Sequence, residues 1–329
     1  MAQIRHKFAV LALSAGMASL FGAAVATAAE YPEQPIRVIV PFAPGGSTDI
    51  VTRIVTQRMG QELGQTMVVE NKGGAGGAIG AAEAARAKPD GYTLSIASVS
   101  TLAVLPACRP TDLPYDALTD FVPVTNFANV PNVIEVNPKF PAKDFKEFVK
   151  VLKANPGKYS HGSSGTCSVL HLFGEAFKLA TQTDAVHIPY KGSGPAVTDA
   201  VGGQIEILFD NLPSSMSQIQ AGNLRPLAVA WPTRLESLKD VPTLAEEGYP
   251  QLNQPAWYGL LAPKGTSPEI VKKLHAAAVV ALKDPKVIEA LEKQGAVPSG
   301  NTPEEFGKEI KTQYDWAKDV VAKGKIVLE

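Results

Sequence analysis

The sequence is short of cysteine, has no excess of either charge and contains no long apolar run after its first 30 residues. With only Cys108 and Cys167, the chain cannot be a disulfide framework, although a single bridge stays open in an oxidising compartment. Lys and Arg number 31, and Asp and Glu number 32. This balance argues against nucleic acid or an anionic membrane as the main partner, because both require a basic excess.

Motifs of the common catalytic and cofactor sites are also missing. The stretches 162–165 and 192–194 both lack the Gly-x-Ser-x-Gly spacing of a nucleophile elbow. Residues 73–80 hold no complete Gly-x-Gly-x-x-Gly, and no Gly-Lys-Ser/Thr of a Walker loop occurs, so we interpret this stretch as a flexible turn. The histidines lack metal-ligand spacing. We therefore expect no enzyme activity, no cofactor and no metal ion.

The first residues are typical of a cleavable secretory signal peptide. A basic stretch at residues 5–7 precedes an apolar run over residues 8–25, and small residues follow. We expect a signal peptide over residues 1–29, with cleavage after Ala28 or Ala29. No stop-transfer segment follows it, which predicts an exported, soluble protein that is not inserted in the membrane.

From Ile36 onward, short apolar runs alternate with helical patterns, as in βαβ units around parallel sheets. About 300 residues exceed the usual size of one hydrophobic core and predict two α/β lobes. Breaks rich in Asn and Pro at 126–131 and 250–255 are the expected crossings between them. The predicted lobes comprise residues 30–127 with 254–329 (lobe 1) and residues 128–253 (lobe 2).

Five loops that follow apolar runs are rich in Ser, Thr and Gly, and in open α/β sheets such loops bind ligands. In the first, residues 41–49, we expect Ser47, Thr48 and Asp49 to cap a helix whose N-terminus attracts an anion. On its own this loop is more typical of an ordinary strand-to-helix turn. The others span residues 98–101, 161–168, 187–195 and 209–215. Only Lys191 adds a cation, which favours a small carboxylate held by neutral hydrogen bonds.

Several side chains in these loops allow two interpretations. Cys167 is either a packed or ligand-lining thiol, or a nucleophile at a helix N-terminus. Asp210 either caps the next helix or contacts a ligand. Lys191 is either solvated or engaged in ligand binding or lobe closure, and His171 fits a core histidine. The alternative function is a secreted hydrolase that uses Ser164 or Cys167, with His161 or His171 as base.

Taken together, segments along nearly the whole chain after the signal peptide resemble the Bug family of extracytoplasmic solute-binding receptors, which are associated with tripartite tricarboxylate transporters. The resemblance is carried by the loop residues Pro44-Gly45-Gly46-Ser47-Thr48-Asp49 together with Asn71-Lys72-Gly73-Gly74-Ala75-Gly76-Gly77, Pro89-Asp90-Gly91-Tyr92, His187-Ile188-Pro189-Tyr190-Lys191-Gly192-Ser193, Phe209-Asp210-Asn211 and Gly259-Leu260-Leu261-Ala262-Pro263.

This resemblance implies a type II periplasmic-binding-protein fold: two doubly wound α/β lobes with the ligand in a cleft between them. It implies a periplasmic receptor, expected to be monomeric, for a mono-, di- or tricarboxylate or an aromatic acid, which is passed to a membrane transporter or a sensor. Carried over by position, the ligand contacts are Phe42, Ala43, Gly46, Ser47 and Asp49 in the first loop and Ser163, Ser164, Thr166 and Cys167 in the second, with Ser98, Ser100, Tyr190, Lys191 and Asp210 as specificity positions.

The sequence departs from the family pattern at Cys167, where Gly or Ser is more familiar, and at residues 106–109, which contain Cys108. Two cysteines in an exported chain suggest the hypothesis that they form a disulfide linking the lobes or the cleft edge. A third hypothesis for the function is a module that binds a partner protein and has no small ligand.

Overall fold

The computed structural model describes residues 31–324, with side chains as far as residue 322. The signal peptide predicted over residues 1–29 lies outside the described residues. From Pro32 onward the chain forms one unit with two β-sheets, each covered by helices. None of the helices within residues 31–324 combines the length and the apolar character needed to cross a membrane.

Eleven strands are described, in two separate sheets. They are β1 (Ile36–Val40), β2 (Met67–Asn71), β3 (Thr93–Ser98), β4 (Phe121–Val130), β5 (Asn132–Val136), β6 (Ser160–Ser163), β7 (Val186–Pro189), β8 (Ile207–Asn211), β9 (Arg225–Ala230), β10 (Ala256–Pro263) and β11 (Val297–Pro298). The six-stranded sheet has the order β11-β4-β10-β3-β1-β2, and the five-stranded sheet has the order β7-β6-β8-β5-β9.

Ten α-helices are described in the same range. They are α1 (Ser47–Leu63), α2 (Ala78–Ala85), α3 (Leu105–Cys108), α4 (Phe145–Ala154), α5 (Val169–Thr181), α6 (Ser193–Gly202), α7 (Leu212–Gln220), α8 (Pro268–Lys283), α9 (Pro285–Lys293) and α10 (Pro303–Gly324). We call the larger sheet with α1–α3 and α8–α10 the six-stranded half, and the smaller sheet with α4–α7 the five-stranded half.

Both sheets are mixed rather than purely parallel. Strands β1, β2 and β3 are parallel, as are β6, β7 and β8, but β10 and β5 run antiparallel to their neighbours. The reason is that the chain crosses between the sheets and returns. The first crossing is made at Pro131 alone, since β4 ends at Val130 and β5 begins at Asn132. The second lies between β9 and β10 and includes a 3-10 turn at Pro250–Leu252.

The first crossing lies inside the stretch 126–131 that was predicted for it, at the last residue, while residues 126–130 belong to β4. Asn126 is tolerated in the interior because its side-chain amide donates to Asn129 and to Glu309. Short β6 (Ser160–Ser163) differs from the prediction, since its residues 161–163 were assigned to a loop. Its polar sequence has no apolar alternation, yet parallel pairing with β7 and β8 makes it a strand.

The faces of the five-stranded sheet carry different side chains. Phe209 of β8 packs with Phe145, Phe148 and Phe177 against α4 and α5. Leu208 packs against α6 on the opposite face. Because side chains alternate along a strand, Asp210 lies on the face of α6 and α7. The polar residues at the end of β8 are therefore supported by an aromatic core on the opposite face of the sheet.

Candidate functional site

The first loop connects β1 to α1 and ends at Gly46. We predicted that Ser47, Thr48 and Asp49 cap the helix, and this is wrong: α1 begins at Ser47, and Gly46 is its N-cap without any side-chain cap bond. The N–H groups of the first turn therefore have no intrahelical acceptor. Such a helix N-terminus provides donors and a partial positive charge for an anion.

Asp49 stabilises this loop from its outer side. Its carboxylate accepts hydrogen bonds from the Gly45 N–H at 3.0 Å, from Arg53 Nε at 2.9 Å and from Asn71 Nδ2 at 3.0 Å. With three donors already bound, the side chain acts on the shape of the loop. Asp49 is not among the residues that line the cavity described below, although its neighbour Thr48 is.

Ser47 reaches from the six-stranded half to the N-terminus of α7 in the other half. Its Oγ donates to the Asn211 carbonyl at 2.6 Å and accepts from the Ser214 N–H at 2.9 Å. Ser100, in a turn of π-helix that follows β3, similarly accepts from the Val169 N–H at 2.9 Å. Both hydroxyls thus hold the two halves together at helix N-termini.

The glycine-rich stretch after β2 lies against the five-stranded half. A Cβ on Gly73 would be 2.6 Å from the Lys191 carbonyl, which accepts a hydrogen bond from the Ala43 N–H at 3.0 Å. Gly76 adopts φ +64°, and a Cβ there would clash with the Thr166 carbonyl oxygen. These glycines permit a backbone approach that any side chain would block.

The halves enclose a cavity of about 10 Å³, which is room for about one water molecule. All its lining side chains are uncharged and most carry hydroxyl or amide groups: Phe42, Gly46, Ser47, Thr48, Ser100, Ser164, Ser193, Asn211 and Tyr258. Helices α1, α6 and α7 all begin at or next to this cavity. A larger ligand requires the halves to separate.

Five of the predicted site residues therefore meet at the cavity: Phe42, Gly46, Ser47, Ser100 and Ser164. Ala43, Ser163, Thr166 and Cys167 are in neighbouring parts of the same loops. Ser98 is buried and bonded to Thr101. The Tyr190 hydroxyl donates to Asp199 at 2.7 Å. Lys191 has an exposed side chain and contributes its carbonyl to the contact between the halves.

Four cavity residues were missed by the sequence analysis: Thr48, Ser193, Asn211 and Tyr258. Asn211 and Ser193 belong to stretches that we had quoted as family motifs, so their position could have been found. Tyr258 lies inside β10, an antiparallel strand next to the crossing, and had no loop signal. Its hydroxyl donates to Asn211 Oδ1 at 2.7 Å, and burial raises the pKa of the phenol, which keeps it a donor.

Three imidazoles support the loop that follows β6. His171 and His187 stack with ring centroids 3.7 Å apart, and His161 lies 5.1 Å from His187. The Cys167 N–H donates to His171 Nδ1 at 3.2 Å, and His187 Nε2 lies 2.7 Å from Ser163 Oγ. Burial lowers the pKa of all three, to about 3 for His171 and about 4 for His187, so the cluster is neutral at pH 7.

Cys108 and Cys167 form a disulfide, which confirms that hypothesis. Their Cα atoms lie 6.1 Å apart. Cys108 ends α3 in the six-stranded half, and Cys167 precedes α5 in the other half. The bond is thus a third covalent connection between the halves, in addition to the two crossings, and it removes Cys167 as a nucleophile.

A second, larger cavity of about 380 Å³ lies away from these loops, between α5, α10 and the second crossing. Its walls are mainly apolar, with Leu172, Phe173 and Trp316 among them. It contains none of the predicted site residues. The small cavity, which is surrounded by polar groups and helix N-termini, is the better candidate for a site that recognises an anion.

Two α/β halves joined by two crossings, with a polar cavity where helix N-termini meet, define a receptor of the periplasmic-binding-protein class. A family model described as "Tripartite tricarboxylate transporter family receptor" matches residues 51–325. The chain belongs to this family. The family consists of solute receptors, which confirms the fold prediction, the resemblance to Bug proteins and the expectation that the chain is not an enzyme.

Individual proteins of known sequence or structure agree with this assignment. Protein BugT of Bordetella pertussis is 41% identical over 284 residues, which cover 86% of this chain and 87% of BugT. A solved structure described as a periplasmic transporter is 76% identical, covers 91% of this chain and 100% of its own, and has a TM-score of 0.90. The malate-bound structure of MatC from Rhodopseudomonas palustris is 32% identical, with 88% and 100% coverage and a TM-score of 0.84.

Proposed function

We propose that this protein is a periplasmic receptor that captures a small organic carboxylate between its two halves and presents it to a membrane transporter or a sensor. The observation that carries the proposal is the convergence of three helix N-termini and neutral donors on one cavity at the contact between the halves. Malate in a relative of the same fold supports the ligand class. The lobes in this proposal are those predicted above, residues 30–127 with 254–329 and residues 128–253.

Binding proceeds by opening and closure in this proposal. The cavity is too small for a four-carbon acid, so the contacts of Ser47 and Ala43 with the opposite half must break for entry. Closure around the ligand then excludes water and strengthens the neutral hydrogen bonds to its carboxylate. Ser163, Thr166, Tyr190 and Lys191 belong to the loops next to the cavity, and we expect them to come within reach of a larger ligand when the halves separate.

The test is a thermal-shift panel of malate, adipate, citrate, nicotinate and glutamate. A ligand at about one hundred times its dissociation constant is expected to raise the melting temperature by roughly 5 °C. The binder is then titrated by calorimetry to give a stoichiometry and a dissociation constant. If no carboxylate in a broad panel shifts the transition, the proposal is wrong.

Ser164→Ala is expected to weaken binding roughly tenfold or more, because a hydrogen bond to a charged group contributes about 1.5–3 kcal/mol. Within the described residues the Ser164 hydroxyl has no hydrogen-bond partner of its own, so the melting temperature of the free protein should stay unchanged. Ser160→Ala is the matched control, because that hydroxyl on β6 bonds Glu206 outside the cavity.

The same variant separates a receptor from the hydrolase considered as the alternative. A hydrolase would require Ser164→Ala to abolish the turnover of an ester or amide substrate. A receptor predicts that the wild-type protein releases the bound carboxylate unchanged after denaturation. Mass spectrometry of the released ligand distinguishes the two, and recovery of a cleaved product would contradict the receptor.

A further inference from the structure

Two carboxyl groups are completely buried below the cavity. Glu135 on β5 and Asp210 on β8 are both 0% exposed. In the antiparallel register of these strands, Val133 pairs with Asp210 and Glu135 pairs with Leu208. Glu135 and Asp210 are thus diagonal neighbours on the same face of the sheet, the face covered by α6 and α7.

The surroundings of this pair offer only partial compensation for charge. Ser214 Oγ donates to Asp210 Oδ2, and Ser215 Oγ donates to Glu135 Oε1. The other oxygen of each group, Asp210 Oδ1 and Glu135 Oε2, has no hydrogen-bond partner among the described residues. No Lys, Arg or His within this range forms an ion pair with either carboxyl. Two buried carboxyls on one face of a sheet, each with one oxygen that lacks a hydrogen bond, favour a state in which at least one of them keeps its proton.

The pair is connected to the cavity through one hydroxyl. Ser214, which bonds Asp210, lies 3.0 Å from the Oγ of Ser47 in the cavity wall. Tyr258, also in the wall, is close enough for the Asp210 charge to raise the pKa of its phenol. Since all lining residues are uncharged, the pair is a source of negative charge that lies one hydroxyl behind the cavity wall, at the α7 N-terminus.

Other titratable groups around the pair are already engaged or face away. They are Asp199 on α6, which accepts from Tyr190; Asp49 on α1, which pairs with Arg53; and His161 on β6, His171, Glu175 and Lys178 on α5, which lie on the face of Phe209. Helix α7 contributes no titratable side chain. Burial raises the pKa of both Glu135 and Asp210.

We propose that the cleft takes up a proton together with its carboxylate ligand, and that the Glu135–Asp210 pair holds this proton. The inference rests on the proposed function. A bound ligand anion repels the negative charge that remains on the pair, which raises the affinity of the pair for a proton. By linkage, protonation of the pair raises the affinity of the cleft for the ligand by the same factor. The receptor would then deliver a carboxylate with a proton rather than the bare anion.

The experiment is calorimetric titration with malate, or with the most tightly bound member of the panel, at pH 7–8 in HEPES and in Tris. Their ionisation enthalpies differ, so the difference in observed heat counts protons. Wild-type protein is expected to take up a measurable fraction of one proton per ligand, and its affinity to fall by up to about tenfold per pH unit as pH rises. Asp210→Asn and Glu135→Gln should reduce the uptake to near zero, while Glu206→Gln, a carboxylate before β8 that bonds Ser160, should keep it.

Each result has a distinct meaning. Zero uptake by wild-type protein that binds the ligand overturns this inference and leaves the proposed function intact. Binding of no carboxylate overturns the proposed function and this inference with it. A measurement on the free protein adds an independent check: the melting temperature of the wild type should fall between pH 7 and pH 8, above the range in which the histidine cluster affects stability, because the unfolded chain releases the proton that the pair holds. If neither variant flattens this dependence, the pair does not hold a proton.

Discussion

Removal of the Cys108–Cys167 disulfide is expected to lower the free energy of unfolding by about 4 kcal/mol. The bond closes a segment with a sequence separation of 59 residues, and the entropy that this closure removes from the unfolded chain corresponds to about that value. A loss of this size is a large fraction of the 5–15 kcal/mol that stabilises a typical domain. Equilibrium unfolding in urea, with and without a reducing agent, measures it.

The choice of replacement residues separates the cross-link from local effects. Cys167 is 2% exposed, so serine would bury a hydroxyl and alanine is the better substitute. Cys167 also has φ +60°, a left-handed conformation in which glycine is favoured. The Cys108→Ala/Cys167→Gly variant should therefore be about 1 kcal/mol more stable than Cys108→Ala/Cys167→Ala. If reduction and the alanine pair leave the urea midpoint unchanged, the cross-link does not stabilise this fold.

The disulfide also explains one departure of this chain from its family. Position 167 stands out in the sequence as such a departure, and its left-handed backbone is a conformation in which glycine fits without strain. In this chain the strain of a side chain at that position is accepted, and a covalent connection between the halves results. The sequence supported the pairing only as a hypothesis, because the proximity of Cys108 to Cys167 depends on how the two halves meet.

The parts of the site that were predicted correctly have local signals. The loop before α1 combines an apolar strand, Pro and Gly, and polar first-turn residues within a dozen positions, so its position at a strand end follows from the sequence. The parts that were missed depend on contacts between distant segments. Tyr258 faces the cavity because β10 runs back from the second crossing, and no local pattern around residue 258 indicates this.

The histidines illustrate the same limit. Sequence reasoning treated His161 and His171 one at a time, and the interpretation of His171 as a core residue agrees with its 3% exposure. Their mutual arrangement depends on β6 and β7 pairing in parallel, with His161 opposite His187, and on α5 lying over that pair. This pairing was not predicted, since β6 was taken for a loop.

Acidification is expected to destabilise the protein because burial lowers the pKa of the three clustered histidines, His161, His171 and His187. A histidine with unfolded pKa about 6.5 and a lower folded pKa binds a proton more readily in the unfolded chain. Stability is therefore full above pH 6.5 and falls as pH decreases toward the folded pKa, about 4 for His187 and about 3 for His171. Each such histidine contributes up to about 1.4 kcal/mol per pH unit. Protonation of Glu135 and Asp210 stabilises the folded protein in this range, but these are two groups against three histidines.

Isosteric substitutions test which atoms matter. Asn places an acceptor near the position of His171 Nδ1, which binds the Cys167 N–H, and Gln places a polar group near the position of His187 Nε2, which contacts Ser163. The variant His171→Asn/His187→Gln should keep most of its stability at pH 7 and lose markedly less than the wild type between pH 6.5 and pH 4.5. The exchanged variant His171→Gln/His187→Asn, which misplaces both groups, should be less stable already at pH 7. Urea midpoints at several pH values measure both effects, and equal pH dependence in the wild type and the first variant would show that other groups cause the acid sensitivity.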